Sequence, residues 1–178
     1  RALRGARMAM VFQEPMTALN PLMTIGRQIA EVIEEHGGRY AATRVPALLE
    51  EVRIPDPALA MRAYPHELSG GQRQRAMIAM ALASRPRLLI ADEPTTALDV
   101  SLRGQILDLL SDLQRQHGMA VLLITHDLNL VRRFADRVAV MERGHLVEQG
   151  TVDGVFAAPQ HAYTRLLLSS RPARDVVE

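Results

Sequence analysis

Leu68-Ser69-Gly70-Gly71-Gln72 marks the start of a helix and carries the strongest chemical signal in the chain. Ser69 stands where a helix N-cap is expected, and the pattern predicts a helix rich in alanine and methionine from about residue 72 to 84. Glycines after the cap let backbone N–H groups approach a ligand closely, and the N-terminus of the helix adds partial positive charge. The segment is therefore typical of a phosphate-binding loop. Taken alone, however, it is explained more simply as a glycine-rich turn with an ordinary serine cap.

Two acidic residues, Asp92 and Glu93, follow the apolar run from Arg87 to Ala91. The run predicts a strand of the kind that is buried on both faces of a parallel sheet. Such sheets bind ligands beyond the carboxyl ends of their strands. An acid at that position is suited to hold Mg²⁺, and its neighbour is suited to polarise water. By itself, a strand that ends in an acidic turn explains the pair equally well.

Three further polar residues stand at the ends of predicted elements. Gln13 follows the predicted strand Met8 to Phe12, and His126 follows the predicted strand Ala120 to Thr125. A histidine at a strand end is able to hydrogen-bond a phosphate or a water. The third residue, Asp99, precedes the helix that is predicted to begin at Ser101. Each of the three also has an ordinary structural explanation: a polar loop residue for Gln13, a structural cap for His126 and a helix N-cap for Asp99.

The order of predicted elements indicates an α/β fold. From residue 85 onward strands alternate with helices, which predicts a mainly parallel sheet with helices packed on it. Residues 14–84 are mostly helical and are predicted to form a separate lobe. Its helices include one at 24–33, capped by Thr24, and one at 43–52, with Pro46 in its first turn. The later predicted elements are a short helix at 126–134, a hairpin of 137–141 with 146–148, and helices at 152–157 and 162–169.

The composition excludes several kinds of site. The 178 residues carry a net charge of +1, which gives no electrostatic argument for nucleic-acid binding. Cysteine is absent, which excludes disulfides, thiolate zinc sites and cysteine-ligated clusters. No apolar run reaches the roughly 18–20 residues that span a bilayer. Lysine is absent as well, so the phosphate loop G-x-x-x-x-G-K-[ST] does not occur in these residues.

The polar elements occur in one order, and together they resemble the ATP-binding cassette (ABC) family. Gln13 matches the Q-loop, and Leu68 to Gln72 matches the signature motif without a substitution. The other matches are Leu88 to Asp92 with Walker B, Glu93 with the catalytic glutamate, Ala97-Leu98-Asp99 with the D-loop and His126 with the switch histidine. The resemblance implies a partial P-loop NTPase (RecA-like) core at 1–13 and 85–150, an inserted ABC-type helical subdomain at 14–84 and a C-terminal helical extension at 151–178.

The resemblance also implies a role for each matched residue, with ATP and Mg²⁺ as ligands. Asp92 would hold Mg²⁺, directly or through water. Glu93 would activate the attacking water as the general base. His126 would contact the γ-phosphate. Gln13 would contact the metal or the water and would link the nucleotide to a transmembrane partner.

A second set of residues would act across a dimer interface. Ser69, Gly70 and Gly71 would contact the γ-phosphate of ATP held on the opposite subunit, with Gln72 in the same loop. Asp99 would lie at the same interface. In the family the phosphate loop precedes the Q-loop, so we expect it upstream in a longer protein. For the same reason we expect the 178 residues alone not to hydrolyse ATP.

Longer matches favour one branch of the family. Phe12 to Pro21 resembles the extended Q-loop of oligopeptide, dipeptide and nickel importer ATPases, and Tyr64 to Glu67 fits the same group. Gln160 to Leu167 resembles that group's His-Pro-Tyr-Thr motif, with Ala162 in place of the proline. Asp127 to Val140 looks most like the first cassette of a fused two-cassette peptide importer ATPase.

For such a subunit the resemblance implies import of peptides or related small solutes across the bacterial inner membrane, at whose cytoplasmic face the protein would be peripheral. Its partners would be a second nucleotide-binding domain, transmembrane permease subunits and, indirectly, a periplasmic solute-binding protein, with no nucleic acid. Two alternatives stay open: a soluble ABC-type ATPase of DNA repair or translation, and a non-catalytic fragment. DNA-repair members usually add coiled coils or zinc cysteines, and translation members usually lack the Asn20-Pro21 extension.

Overall fold

The computed structural model describes residues 7–37 and 41–170. Contacts divide the chain into two compact units, which meet in sequence between Ile124 and Thr125. The first unit contains a parallel sheet of three strands. Several helices lie between its first and second strands, and one helix connects the second strand to the third. The second contains a hairpin and short helices.

The sheet of the first unit is parallel, as the alternation of elements predicted. Its strands are β1 (Met8–Val11), β2 (Leu88–Asp92) and β3 (Ala120–Ile124), and β2 lies between the other two. The register pairs Val11 with Ala91 and Asp92 with Ile124. Because the strands are parallel, their carboxyl ends lie at one edge of the sheet, and the residues that follow β1 and β2 come together there.

Only one face of this sheet is fully buried. Val11, Leu89 and Ala91 are 0% exposed. The residues that alternate with them belong to the other face, where Ile90 is half-buried and its partner on β3, Leu122, is 49% exposed. The apolar strand β2 is therefore fully buried on one face and half-buried on the other in these residues.

The segment between β1 and β2 is mainly helical, as predicted. The helices of the first unit are α1 (Pro15–Ala18), α2 (Ile25–Glu35), α3 (Ala41–Glu51), α4 (Pro57–Arg62), α5 (Gly70–Leu82) and α6 (Val100–His117), with a short 3-10 helix at Pro65–Glu67. The sequence did not predict α4, whose N-cap Asp56 accepts a hydrogen bond from the Leu59 N–H at 2.9 Å. Pro46 lies in the second turn of α3 and not in the first, because the helix begins two residues earlier than predicted.

Gly26 of α2 lies against the backbone of α4. A Cβ at this position would be 2.8 Å from the carbonyl oxygen of Met61 and 3.1 Å from its Cβ. Because backbone atoms cannot move aside as a flexible side chain does, we expect Gly26→Ala to destabilise this helix pair by about 1–3 kcal/mol. Hydrogen exchange of the α2 and α4 amides in the intact protein measures the loss. The matched control is Gly104→Ala on α6, where an added Cβ meets nothing within 4 Å; equal protection in both variants contradicts the prediction.

The chain just after α3 is tied to α5 and α6. Arg53 pairs with Asp112 of α6, and Arg75 of α5 donates a hydrogen bond to the Val52 carbonyl at 2.9 Å. Hydrogen bonds from Arg53 and Arg115 hold the pKa of Asp112 below its ordinary value. Because exposed ion pairs contribute little to stability, these contacts mainly orient α3 relative to α6.

The second unit contains the hairpin that the sequence predicted. Its elements are α7 (Leu128–Phe134), β4 (Arg137–Glu142), β5 (His145–Thr151), α8 (Val152–Ala157) and α9 (Ala162–Ser169). Arg143 and Gly144 connect the antiparallel strands with φ values of +49° and +81°. Two central residues with positive φ are typical of the tight hairpin turn that matches the twist of the strands.

A carboxylate on β5 holds the segment that leads into α9. Glu148 accepts hydrogen bonds from the backbone N–H groups of Gln160 at 2.8 Å and His161 at 3.0 Å. His161 in turn caps α9, because its Nδ1 accepts from the Tyr163 N–H at 3.2 Å. Ala162 occupies the first helical position, where proline is favoured but not required. This explains how the segment keeps its helix start without the proline of the resembling motif.

Protonation of Glu148 is expected to release α9. The Gln160 N–H, with the neighbouring Thr164 side chain and the His161 N–H, lowers the pKa of Glu148 below its ordinary value. A depressed carboxyl pKa contributes stability that is present above the unfolded pKa and is lost as the pH falls through the folded pKa. Hydrogen exchange of the α9 amides, corrected for intrinsic rates, should therefore increase in acid.

A glutamine at position 148 removes the titration. Because a glutamine amide keeps only one of the two acceptor oxygens, we expect Glu148→Gln to give protection of α9 that is below the wild-type level at neutral pH and does not change in acid. Glu142→Gln on β4 is expected to keep the wild-type profile. If protection of α9 in Glu148→Gln followed the same acid dependence as the wild type, another group would be responsible.

Candidate functional site

The signature segment forms a reciprocally capped helix start. Ser69 Oγ accepts a hydrogen bond from the Gln72 N–H at 3.2 Å, and Gln72 Oε1 accepts from the Ser69 N–H at 2.9 Å. The predicted serine cap is confirmed. The structure adds that the Gln72 side chain completes the cap, so this residue shapes the loop from within. The capped start orients the first N–H groups of α5 along the helix axis, with Ser69 exposed.

The two glycines of the segment are in different surroundings. A Cβ on Gly71 would lie 3.4 Å from Leu102 Cδ1 of α6, so this glycine faces a neighbouring helix. A Cβ on Gly70 would have Leu98 Cδ2, at 3.9 Å, as its neighbour, an ordinary van der Waals contact. Packing within the described chain therefore does not require glycine at position 70.

The acidic pair lies at the carboxyl end of β2. Asp92 is the last residue of the strand and is half-buried, opposite Ile124. Glu93 follows with a positive φ of +45°, and its backbone N–H donates to the Ile124 carbonyl at 2.9 Å. Its carboxylate Oε2 accepts a hydrogen bond from the Thr96 hydroxyl at 2.5 Å. The sequence analysis did not predict this hydrogen bond from Thr96 to Glu93.

Gln13 comes to the same edge of the sheet. Val11, the last residue of β1, pairs with Ala91 of β2. Gln13 lies two residues after Val11, and Glu93 lies two residues after Ala91. The parallel register of β1 and β2 thus places Gln13 and the acidic pair beyond adjacent strand ends. Gln13 is exposed, in the loop that leads into α1.

A cleft of about 210 Å³ brings three of the predicted motifs together. It is lined by Glu14, Pro15 and Met16 after the Q-loop glutamine, by Gly70 and Arg73 of α5, and by Ala97 and Leu98 of the D-loop. Arg73 was not among the predicted site residues. Its position one residue after the signature is the signal that could have indicated it.

Asp99 stands at the N-cap position of α6, as predicted, but its carboxylate makes no cap hydrogen bond. The backbone carbonyl of Asp99 instead accepts from the N–H groups of Leu102 at 2.9 Å and Arg103 at 3.1 Å. The exposed side chain is therefore not needed to start the helix.

His126 belongs to the second unit, two residues after the end of β3. The cap of α7 is the next residue, Asp127, whose carboxylate accepts from the Asn129 N–H at 2.9 Å. The Asp127 N–H donates to Thr125 Oγ1 at 3.1 Å. The explanation of His126 as the structural cap is therefore wrong, because its neighbour fills that role.

Residues 7–37 and 41–170 contain no group of three or more His, Asp or Glu side chains placed to hold a metal ion. They also contain no helix of the length and hydropathy that a bilayer crossing requires.

The profile of the ABC transporter family matches residues 1–96. The chain is 63% identical to the peptidoglycan transport ATP-binding protein YejF of Agrobacterium fabrum (strain C58 / ATCC 33970) over 97% of this chain and 32% of that protein. It is 55% identical to the glutathione import ATP-binding protein GsiA of Escherichia coli (strain K12) over 97% of this chain and 28% of that protein. The chain thus spans less than a third of the length of these curated relatives.

Two solved structures have the same fold. One is cbiO1 of Clostridium perfringens, described as part of the ABC transporter complex cbiONQ, with a TM-score of 0.75 and 30% identity over 88% of this chain and 61% of that chain. The other is the ATP-binding cassette MJ0796 in a dimeric post-hydrolysis state bound to ADP and Pi, with a TM-score of 0.71 and 30% identity over 84% of this chain and 64% of that chain.

The sequence matches and the fold lead to one assignment. The fold matches a component of an ABC transporter complex and an ATP-binding cassette, each at 30% identity. The family profile covers more than half of the residues. The chain belongs to the ABC transporter family.

Proposed function

We propose that the intact protein hydrolyses ATP and uses the energy to import peptides or related small solutes across the bacterial inner membrane. The observation that carries the ATPase part is the acidic pair Asp92-Glu93 at the carboxyl end of β2, beside the strand end that leads to Gln13. The names of the relatives, a peptidoglycan transport protein and a glutathione import protein, support the transport part.

Each of the matched residues has one task in this proposal. Glu93 accepts a proton from the attacking water, and Gln13 orients that water or the metal. His126 donates a hydrogen bond to the γ-phosphate. Catalysis in such a site comes mostly from positioning and from stabilising negative charge.

Asp92 is the residue that would hold Mg²⁺. Its carboxylate is an oxygen ligand at a strand end and half-buried, which fits a metal that takes one or two protein carboxylates and otherwise phosphates and water. The metal would supply positive charge against the negative charge that develops on the phosphates. Members of the family bind ATP, and the cassette MJ0796 contains ADP and Pi.

The signature segment completes a site on another subunit. At the start of α5, Ser69 is exposed, Gly70 is half-buried and Gly71 is buried, with Gln72 as the supporting cap. Ser69 and the backbone N–H groups of the two glycines contact the γ-phosphate held by a second cassette in this proposal. Asp99, whose carboxylate is not used in capping α6, lies at the same interface. The dimeric state of MJ0796 supports this arrangement.

The same proposal includes a domain organisation for the chain. Residues 1–13 and 85–150 form the nucleotide-binding core, 14–84 the helical subdomain, and 151–178 the C-terminal extension. The intact protein sits at the cytoplasmic face of the membrane and binds permease subunits. These receive solute from a periplasmic solute-binding protein, and nucleic acid is not a partner.

Two measurements test the proposal. The purified intact protein should release phosphate from ATP, and a strain that lacks it should lose uptake of a peptide substrate until the gene is restored. Absence of hydrolysis with the membrane subunits present would exclude the ATPase part. Unchanged uptake of every tested peptide would exclude the transport part alone. Preferred binding to DNA or ribosomes would favour a soluble ABC-type ATPase instead.

A further inference from the structure

Glu93 has an uncommon backbone conformation. Its φ of +45° lies in the left-handed region, which residues other than glycine rarely adopt. Such strain persists only where surrounding contacts over-determine it. Here the Glu93 N–H donates to the Ile124 carbonyl at 2.9 Å, and the Glu93 carbonyl accepts from the Thr96 N–H at 3.2 Å. The turn from Glu93 to Thr96 therefore fixes the direction in which the Glu93 side chain leaves β2.

The same turn is anchored in the protein interior. Pro94 is buried, and Thr95 and Leu98 are 5% and 7% exposed. The Leu98 N–H donates to the Thr95 carbonyl at 3.1 Å, which links this turn to the next one. Because Pro94 and Thr95 of this turn and Leu98 of the next are packed, the turn cannot change shape without disturbing the core. Thr96, in contrast, is exposed.

The Thr96 side chain acts on the carboxylate itself. Its Oγ1 donates a hydrogen bond to Glu93 Oε2 at 2.5 Å. Hydrogen bonds from a hydroxyl to an ionised carboxylate are short and stronger than those between neutral groups. Thr96 thus holds Glu93 at two points, the backbone carbonyl through its N–H and the carboxylate through its hydroxyl.

We propose that Thr96 is a positioning residue for the general base: its hydroxyl holds the Glu93 carboxylate in the orientation from which Glu93 takes a proton from water. The proposal rests on the proposed ATPase activity. Thr96 does not need to touch the nucleotide, since its effect passes through Glu93.

Thr96→Val removes the donor and keeps the shape of the side chain. In the intact protein we expect its kcat for ATP hydrolysis to fall about 10- to 100-fold, the range found when a group that orients a reacting residue is lost. The KM for ATP should stay within about twofold, because binding of the nucleotide does not use this hydroxyl. Thr96→Ser, which keeps the hydroxyl, should restore kcat to within about threefold of the wild type.

A double variant shows whether the effect passes through Glu93. If it does, adding Thr96→Val to Glu93→Gln leaves the residual rate of Glu93→Gln unchanged, because residues that act as a unit are not additive. An independent further loss of the same size in the double variant would overturn the proposal.

The remaining outcomes are also decisive. If the wild type hydrolyses ATP and Thr96→Val has the same kcat, the role of Thr96 is wrong and the proposed function stands. If the wild type does not hydrolyse ATP with its membrane subunits present, the proposed function fails, and the role of Thr96 fails with it. Should Thr96→Val not fold, Thr96→Ala takes its place, and an equal loss of kcat in Thr96→Ala and Thr96→Ser would overturn the proposal.

Discussion

Replacing Glu93 with glutamine is expected to reduce ATP hydrolysis by the intact protein about 10²- to 10⁴-fold, the contribution of a positioned general base. Glutamine has the same shape and still accepts a hydrogen bond from the Thr96 hydroxyl, so the turn after β2 is retained. It cannot accept a proton from the attacking water. The loss should appear in kcat, whereas binding of ATP is retained because the carboxylate acts on water and not on the nucleotide.

Steady-state phosphate release at saturating ATP and Mg²⁺ measures this effect, and equilibrium binding of ATP checks that the nucleotide site is intact. A suitable control is Glu31→Gln on α2, which removes a carboxylate paired with Arg27 on an exposed helix face. The control should hydrolyse ATP at the wild-type rate. A Glu93→Gln variant within about threefold of the wild type would assign the general base to another residue.

The second large effect is expected at Gly70. Gly70→Ala adds a methyl group that meets only an ordinary contact, Leu98 Cδ2 at 3.9 Å, so the fold accommodates it. The Cα–Cβ bonds of a helix tilt toward its N-terminus, so the methyl extends toward the space before α5. If a phosphate of the opposite subunit approaches these N–H groups, the methyl keeps it away. We expect kcat to fall about 10-fold or more, since displacements of about 1 Å at a reacting group have effects of up to 100-fold.

Gly104→Ala is a matched control for this prediction as well. It places the same methyl on α6, with nothing within 4 Å. It is expected to leave kcat unchanged and to stabilise the helix by about 0.5–1 kcal/mol, because glycine is unfavourable inside a helix. In Gly70→Ala, ATP binding by the same subunit should persist while hydrolysis is lost. Parallel loss of binding and hydrolysis would show that Gly70 serves its own subunit's nucleotide.

The two predictions address two halves of one composite site. In the proposed site, Glu93 would act on ATP held by its own subunit, and Gly70 on ATP held by the partner. If the partner is a second copy of this chain, mixing the two variants gives a further expectation: in a dimer with one Glu93→Gln subunit and one Gly70→Ala subunit, both defects affect the same ATP, and the second site is spared. The residual rate of such mixed dimers should exceed that of either pure variant.

Features with a local cause were predictable from the sequence. The serine cap at Ser69 and the Arg143-Gly144 hairpin turn follow from residues within a few positions of each other, whose hydrogen bonds and φ values depend on side-chain chemistry nearby. The parallel sheet followed from alternating elements, and with it the meeting of Gln13 and the acidic pair at one edge. These are the parts of the site that the order of residues in the chain specifies.

Other features depend on neighbours that are distant in the chain. A continuous apolar run does not show which of its residues share a face with the packed helices, so the complete burial of Leu89 and Ala91 could not be predicted. The glycine at position 26 is required by the backbone of Met61, on a helix that the sequence did not reveal. The Arg53–Asp112 pair likewise joins residues that only the fold brings together.

The contact between Thr96 and Glu93 shows that even a contact between residues close in sequence can depend on the tertiary structure. The residues are three positions apart, which is close enough for a local rule, and yet the sequence did not predict it. The hydrogen bond forms because Glu93 adopts a positive φ, and that strain is held by the Ile124 carbonyl of another strand and by the packing of Thr95 and Leu98. The sequence by itself determined which residues are the candidates for the chemistry and the order in which they stand. Only the tertiary structure decided how the carboxylate is oriented, because the conformation that orients it is unfavourable without the contacts of the folded chain.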